Sequence, residues 1–356
     1  MNADALLKFG LAAIGLMLGA LPAVAQGFAG LGTASTEFAQ PDRDRALQFP
    51  ADHAAHPGYR IEWWYLTANL TDPDGTAMGL QWTLFRSALA PDGTGDGPEQ
   101  LWMGHAAVTT PDTHRVTERL ARGGIGQAGV TLDGFEAFID DWALRSTGGA
   151  DPLDRLRVTA RGTDFAYDID LTAQGPLVLQ GDDGYSVKSA GGAASYYYSQ
   201  PFYEVAGTVT LPSGPVEVTG QAWLDREWSS QPLAEDQTGW DWISLHLDSG
   251  AKLMGFGLRS RDGGHFTSAT WVAPSGEVTS YGDGTLQLEP LAQTEVAGRR
   301  VPTRWRVRLP DQNVDLEIDA VNGDAWMDTA FPYWEGPVRI TGSHGGRGYL
   351  EMTGYE

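Results

Sequence analysis

The sequence predicts an all-β protein of two tandem antiparallel units, each a barrel or a sandwich. Three observations carry this. From Arg60 onward, short runs rich in Val, Ile, Thr, Trp, Tyr and Phe alternate with polar residues. Turn signals separate the runs at close spacing: Asp72-Pro73-Asp74-Gly75, Pro91-Asp92-Gly93, Asp133-Gly134, Pro212-Ser213-Gly214, Asp248-Ser249-Gly250, Asp262-Gly263-Gly264, Pro274-Ser275-Gly276 and Asp283-Gly284. Short strands punctuated this regularly mark sandwiches and barrels. No helical stretch of useful length lies between them, so a parallel α/β sheet would lack its crossovers. The best helix candidate runs from Thr117 to Arg122, where Gly123-Gly124 ends it, and Asp182 to Gly192 reads as a loop.

The chain has 356 residues, 42% hydrophobic and 20% charged, enough for sizeable cores. A net charge of -22, from 46 Asp+Glu against 24 Lys+Arg, argues against a nucleic-acid partner and against docking on anionic lipid heads. There is no cysteine, which excludes disulfides, thiolate catalysis and Cys-ligated metal centres. Lys8, the apolar run Phe9 to Leu21 and Ala23-Val24-Ala25 read as a signal peptide over 1–25, cleaved before Gln26. The apolar run is short for a membrane span, so the mature protein is expected to be exported, periplasmic or secreted. Residues 26–51 read as an extended leader. A first β unit is assigned to 52–232 and a second to 233–356, with a polar connection from Gln231 to Thr238 that contains Pro232.

Gly124-Ile125-Gly126-Gln127-Ala128-Gly129 matches a dinucleotide fingerprint literally, but it lacks the strand before and the helix after, and reads as a loop. Walker, HExxH and GxSxG signatures are absent. His53 and His56 are the only histidines close in sequence. A metal site there is one reading, loop-packing histidines the other.

The informative segments are aromatic and acidic. In Arg60-Ile61-Glu62-Trp63-Trp64-Tyr65-Leu66, a period of two puts Glu62, Trp64 and Leu66 on one face and Ile61, Trp63 and Tyr65 on the other. Both faces are bulky, so the strand is expected to be covered on both sides. Glu62 must then find an Arg partner or stay protonated. In Gly220 to Gln231, Trp223, Asp225 and Glu227 share one face, and Leu224, Arg226 and Trp228 the other. This segment is either a polar cluster lining a cavity or a buried Arg–carboxylate network at the junction of the units. In Gly239 to Leu247, Trp240, Trp242, Ser244 and His246 line one face, a pocket wall or a half-exposed sheet face, and Asp241 lies on the other. Ser195-Tyr196-Tyr197-Tyr198-Ser199, Tyr333-Trp334-Glu335 and Gly348 to Tyr355 are aromatic and strand-like, with Glu335 a further candidate buried acid.

Taken together in this order, His56-Pro57 with Glu62-Trp63-Trp64-Tyr65, Ser195 to Ser199, Trp223 to Gln231, Gly239 to Trp242, Tyr333 to Val338 and Gly348 to Tyr355 give the chain its resemblance. It resembles the AttH-like and carotenoid 1,2-hydratase superfamily of lipocalin-like proteins, in the branch labelled secreted hydrolases. The resemblance implies two lipocalin-like β units packed together, with a cavity inside or between them and no cofactor. It also implies a genetic link to ABC-transporter permeases. A hydrophobic small molecule, a polyene or isoprenoid, is the expected ligand.

Hydration of such a ligand needs a proton for one alkene carbon, stabilisation of the cation, then water. A carboxylic acid in apolar surroundings remains a donor near neutral pH. Trp and Tyr faces stabilise a cation by roughly 0.5–2 kcal/mol each. The candidate acids are Asp225, Glu62 and Asp241. The candidate ligand contacts are Trp64, Tyr198, Trp223, Arg226, Glu227, Trp228, Trp240, Trp242, His246 and Trp334. Two other classes compete: a non-catalytic carrier, which needs the cavity but no acid, and a hydrolase, which in a metal-dependent form would use His53 and His56.

Overall fold

The computed structural model describes residues 37–91 and 97–355. The signal peptide read over 1–25 lies outside the described residues, as do residues 26–36 of the leader. Where described, the chain is almost entirely β and folds into two antiparallel sheets.

The first sheet has thirteen strands. Four form a meander outward from its middle: Ile61–Thr71, Ala77–Ala88, Gln100–Thr109 and His114–Arg122. The chain then crosses to the opposite edge at Ala128–Thr131 and meanders back. It ends at Ala194–Leu211 and Gly214–Ser229, the last strand pairing with the first along its whole length, from Ile61 opposite Ser229 to Thr71 opposite Thr219. The ten-stranded second sheet repeats this path. It opens at Gln237–Leu247, runs outward to Val278–Tyr281, restarts at the far edge with Gln287–Val296, and returns to pair Gly346–Met352 with its first strand. Each unit is thus an up-and-down meander whose ends meet. The first sheet curls into a nearly closed barrel and the second into a half-barrel.

The turn chemistry works as expected. At Asp72 the carboxylate Oδ1 accepts the backbone N–H of Asp74 (3.0 Å) and Thr76 (2.7 Å), and Gly75 takes φ 86° to close the hairpin. The helix expected over Thr117 to Arg122 is instead part of the strand His114–Arg122, paired with Gln100–Thr109. Ladder pairing from a neighbour overrides a local helix preference in so short a run. The segment read as a loop contains a short strand, Tyr185–Val187, on the flank of Ala194–Leu211. Contrary to expectation a strand, His114–Arg122, does precede the glycine fingerprint, but the fingerprint is a turn leading into the strand Ala128–Thr131, with no helix after it.

The inner face of the first barrel carries the larger hydrophobic core. Trp64, Trp82, Trp142, Leu84, Val158 and Ile169 are wholly buried, and the Tyr167 hydroxyl donates to the Gln81 carbonyl (2.9 Å). The second core is built on Leu245, Leu253, Val307, Leu316, Ile318 and Trp334. The two sheets meet through their other faces, where Tyr65, Tyr197 and Trp223 pack with Trp242, Phe256 and Tyr349. This two-sided burial explains the bulky residues on both faces of Ile61–Thr71.

Gly79 permits the contact. A Cβ there would lie 2.6 Å from the Pro337 ring and 2.7 Å from the Tyr349 hydroxyl. Gly79→Ala is therefore expected to push the sheets apart and cost about 1–3 kcal/mol. Thermal melting with limited proteolysis of the connection at residues 230–236 reads the effect. A wild-type melting profile with no new cleavage would show that the sheets tolerate the wedge.

Candidate functional site

A cavity of about 760 Å³ lies between the sheets, rather than within either barrel. Strand register arranges its floor in rows across the first sheet. Ile61, Ser87, Leu101 and Arg122 sit side by side on successive strands, followed by Trp63, Phe85, Met103 and Leu120, and then by a row of Tyr65, Thr83, His105 and Glu118, of which Tyr65 and His105 reach the cavity. Glu227 stands opposite Trp63, and Asp225 opposite Tyr65. Trp240, Trp242, Phe256, Leu258, Tyr333 and Glu351 form the wall from the second sheet. Leu101 and Leu120 lie in the two outer rows and are 42% and 61% exposed, so the apolar rim reaches solvent there while Asp225 and His105 lie at the buried end.

Asp225 is the best-framed acid. Its Oδ1 accepts hydrogen bonds from the Ser199 hydroxyl and from Trp223 Nε1 (2.7 Å), and its Oδ2 accepts one from the Tyr197 hydroxyl (2.7 Å). Trp242 Nε1 in turn donates to the Tyr197 oxygen (3.1 Å), which ties the second sheet to this acid. Burial pushes the Asp225 carboxyl up to about 7, although all three donors favour its ionised form. Beside it, Lys188 Nζ pairs with Glu227 (2.8 Å) and lies over the Tyr197 and Phe256 rings.

A second carboxyl group of the site comes in two halves. Glu335 and Glu351 are direct cross-strand neighbours; Glu335 is buried, and Glu351 is half-buried and lines the cavity. The Tyr65 hydroxyl from the first sheet donates to Glu335 Oε1 (2.5 Å), and Trp240 Nε1 donates to Glu351 Oε1 (2.5 Å). Burial raises Glu351 to about 7 and, together with the Glu351 charge, raises Glu335 well above the carboxylate range. Adjacent like charges cannot both ionise cheaply in such surroundings.

The sequence-predicted residues divide by strand face. Asp225, Glu227, Trp240 and Trp242 line the cavity together, and Trp223 orients Asp225 from just behind. Glu62 does not reach the cavity. It faces the barrel interior between Arg86 and Arg226 (Nη2 to Oε2, 3.2 Å), and also accepts His56 N–H (2.8 Å) and contacts His56 Nδ1 (3.0 Å). Burial alone would raise its carboxyl, but Arg86, His56 and Arg226 outweigh burial and hold it well below the usual range, so Glu62 is no proton donor. Asp241 also faces inward. Burial raises it, but Arg259 (2.5 Å) and the Tyr355 hydroxyl (2.9 Å) engage it away from the cavity.

Several expected ligand contacts are packing residues. Arg226 lies 3.8 Å from the Trp64 ring centroid and donates to the carbonyls of Trp63 and Ala54. Trp228 stacks on His56 with centroids 3.9 Å apart. The Tyr198 hydroxyl bonds His53 Nδ1 (2.6 Å), and Trp334 Nε1 donates to the Gly323 carbonyl (2.8 Å). His246 sits edge-on to Trp223 in the sheet contact, outside the cavity lining. As for a metal at His53 and His56, each ring already engages protein groups through both nitrogens: His53 with Tyr198 and Asp151, His56 with Glu62 and Asp52. Among the described residues no group of three metal-ligating side chains is assembled.

Glu351, Tyr65, Tyr197, His105 and Lys188 are site residues that sequence reasoning missed. For Glu351 a signal was available. Tyr349 and Glu351 alternate with the core residues Leu350 and Met352, so they face the same side as the Tyr333-x-Glu335 pair on the next strand. His105 carried none, because only the contact between sheets brings Tyr333 to it, and Lys188 lay in the segment read as a loop, where its pairing with Glu227 could not be seen.

Two tandem lipocalin-like units with an aromatic, carboxyl-bearing cavity at their contact define the class of protein. The chain belongs to the AttH-like family, whose model matches residues 40–355. A crystal structure of a Nitrosomonas europaea protein, labelled a candidate AttH, is 34% identical, with 90% of this chain and 100% of that one covered and a TM-score of 0.80. Kievitone hydratase from Nectria haematococca shares the fold at 15% identity, with 90% of this chain and 98% of that one covered and a TM-score of 0.65. No curated protein matches the sequence.

Proposed function

We propose that this protein takes a hydrophobic, unsaturated molecule into the cavity between its sheets and adds water across a C=C bond, with Asp225 as the acid. The observation that carries this reading is the buried Asp225 carboxyl, raised to about 7 by burial, facing an aromatic chamber. The Asp225 proton bonds to one alkene carbon as the π pair forms the new C–H bond. The cation left on the other carbon is stabilised by the ring faces of Trp63, Trp240 and Trp242, each worth roughly 0.5–2 kcal/mol. A water lone pair then forms the C–O bond, and the proton released from the oxonium returns to a carboxylate. A fold neighbour named as a hydratase supports the choice of chemistry. Export, and delivery of the ligand to or from a membrane transporter, belong to the same proposal, supported by the N-terminal sequence and the family resemblance.

Native mass spectrometry of protein purified from its host tests the binding step, with a co-purified hydrophobe expected. Trp240→Ala and Trp242→Ala are each expected to weaken capture of a fluorescent lipophile about tenfold, as loss of one aromatic wall contact would. An empty protein whose lipophile affinity is untouched by either change would remove the cavity from the account.

A further inference from the structure

We infer that four basic side chains in a row on the second sheet, Lys252, His246, Arg347 and Arg339, form a seat for a phosphate group, apart from the cavity. Register sets the row. Lys252 stands opposite His246, His246 opposite Arg347, and Arg347 opposite Arg339, on four successive strands. None of the four lines the cavity. Three of them meet the first sheet. Lys252 Nζ lies 5.8 Å from the Phe202 ring centroid, His246 meets Trp223 edge-on with centroids 5.8 Å apart, and Arg347 Nη1 donates to the Thr71 hydroxyl oxygen (3.2 Å). Thr71 ends the strand that carries Tyr65, roughly 20 Å beyond the buried end of the cavity.

Such a row is costly without a partner. Like charges in direct cross-strand register repel, and a buried ammonium needs a countercharge. Elsewhere in this sheet Arg259, Arg304, Arg306 and Arg308 each pair with a carboxylate. Among the described residues Lys252, Arg347 and Arg339 have none within 4 Å. The carboxylates that register and turns bring nearest are Glu204, Asp248 and Asp319. Glu204, opposite Gln221, accepts from Gln174 (3.1 Å), Asp248 lies in the turn after the His246 strand, and Asp319 stands opposite Arg339 at the exposed end. His246 is 2% exposed and Lys252 5%, and neither His246 ring nitrogen has a hydrogen-bond partner. An imidazole with a donor to spare thus sits between an ammonium and a guanidinium. Burial first, then the Lys252 and Arg347 charges, hold His246 well below the usual imidazole range. The two cations stand one strand to either side of it, roughly 10 Å apart at the backbone, a span their long side chains close over one tetrahedral anion. A phosphate dianion matches both cations and offers oxygens to all three groups, where a carboxylate brings one charge. Arg339 is exposed and marks the entrance. The net charge of -22 repels anions in general, so binding here has to be local.

Long-range ¹H–¹⁵N NMR of the full chain follows the His246 ring, assigned by its loss in His246→Gln, while inorganic phosphate replaces chloride at constant ionic strength. A saturable shift of the His246 signals is expected, with affinity about tenfold weaker or worse in Lys252→Met and in Arg347→Met. Lys252→Met removes an unpaired buried charge, so without phosphate it is expected to melt no lower than wild type. Sedimentation with phosphatidic acid vesicles separates the two sources of a phosphate. The net charge predicts no binding to them, and binding that is lost in the same two variants would assign the seat to a lipid headgroup. A His246 ring unmoved by phosphate in a protein that ignores the vesicles, or equal phosphate affinity in folded Lys252→Met and Arg347→Met protein, would overturn the seat.

Discussion

Asp225→Asn is expected to lower hydration about 10²–10⁴-fold, the usual range for loss of a positioned acid, while the protein becomes more stable in alkali. An amide oxygen still accepts from Ser199 and Trp223, and its NH₂ meets the Tyr197 oxygen, so packing survives while the acidic proton is gone. The stability change follows from linkage. Burial raises the folded Asp225 value to about 7 from 3.8, and donors offset only part of that. Below the lower value both folded and unfolded chains hold the proton. Between the two values the unfolded chain releases it and the folded chain keeps it, so stability falls as pH rises toward 7. The penalty at pH 8 has an upper bound of about 4 kcal/mol. Melting of Asp225→Asn should therefore exceed wild type at pH 8 and match it near pH 4. Equal melting at both would place the carboxyl in a wetter setting than its neighbours suggest.

Glu62→Gln has the opposite character. It should destabilise by about 3–5 kcal/mol, because Arg86 and Arg226 would remain buried without their countercharge. Arg86 is also fastened to Gln100 Oε1 (2.6 Å) and to the carbonyls of His56 and Tyr59 (each 2.8 Å), so it cannot swing out to water. The same network joins the barrel end to the segment 52–60, so its loss is expected to expose that segment to protease first. Glu62 is held low in the folded state, so its stabilisation is present above the unfolded carboxylate range and disappears in acid. Protein that remains folded should hydrate normally. A stable but inactive Glu62→Gln protein would instead return Glu62 to the chemistry.

The contrast between these two carboxylates shows what a sequence can disclose. Alternation along Ile61–Thr71 and Gly214–Ser229 sorted Glu62 and Arg226 from Tyr65 and Asp225 correctly, because the pleat imposes it. The tandem β architecture was legible in turn chemistry and aromatic strands for the same local reasons. Which face became the barrel interior was not legible, since both are bulky and both end up buried. Nor was the fate of Glu62, which depends on Arg86 twenty-four positions away on the neighbouring strand. The Glu335–Glu351 pair needs a cross-strand register, and the His105–Tyr333 contact needs two sheets more than two hundred residues apart in sequence to meet. Local pattern carries the fold of each strand, while the site arises where the two units touch.

The most direct measurement is incubation of the protein, in ¹⁸O-labelled water, with an acyclic polyene or with the hydrophobe that co-purifies, followed by mass spectrometry of the recovered molecule. The account predicts a product heavier by one labelled water, formed by wild type and not by Asp225→Asn. Recovery of the hydrophobe unchanged from both proteins, each still binding it, would contradict catalysis and leave a carrier in its place.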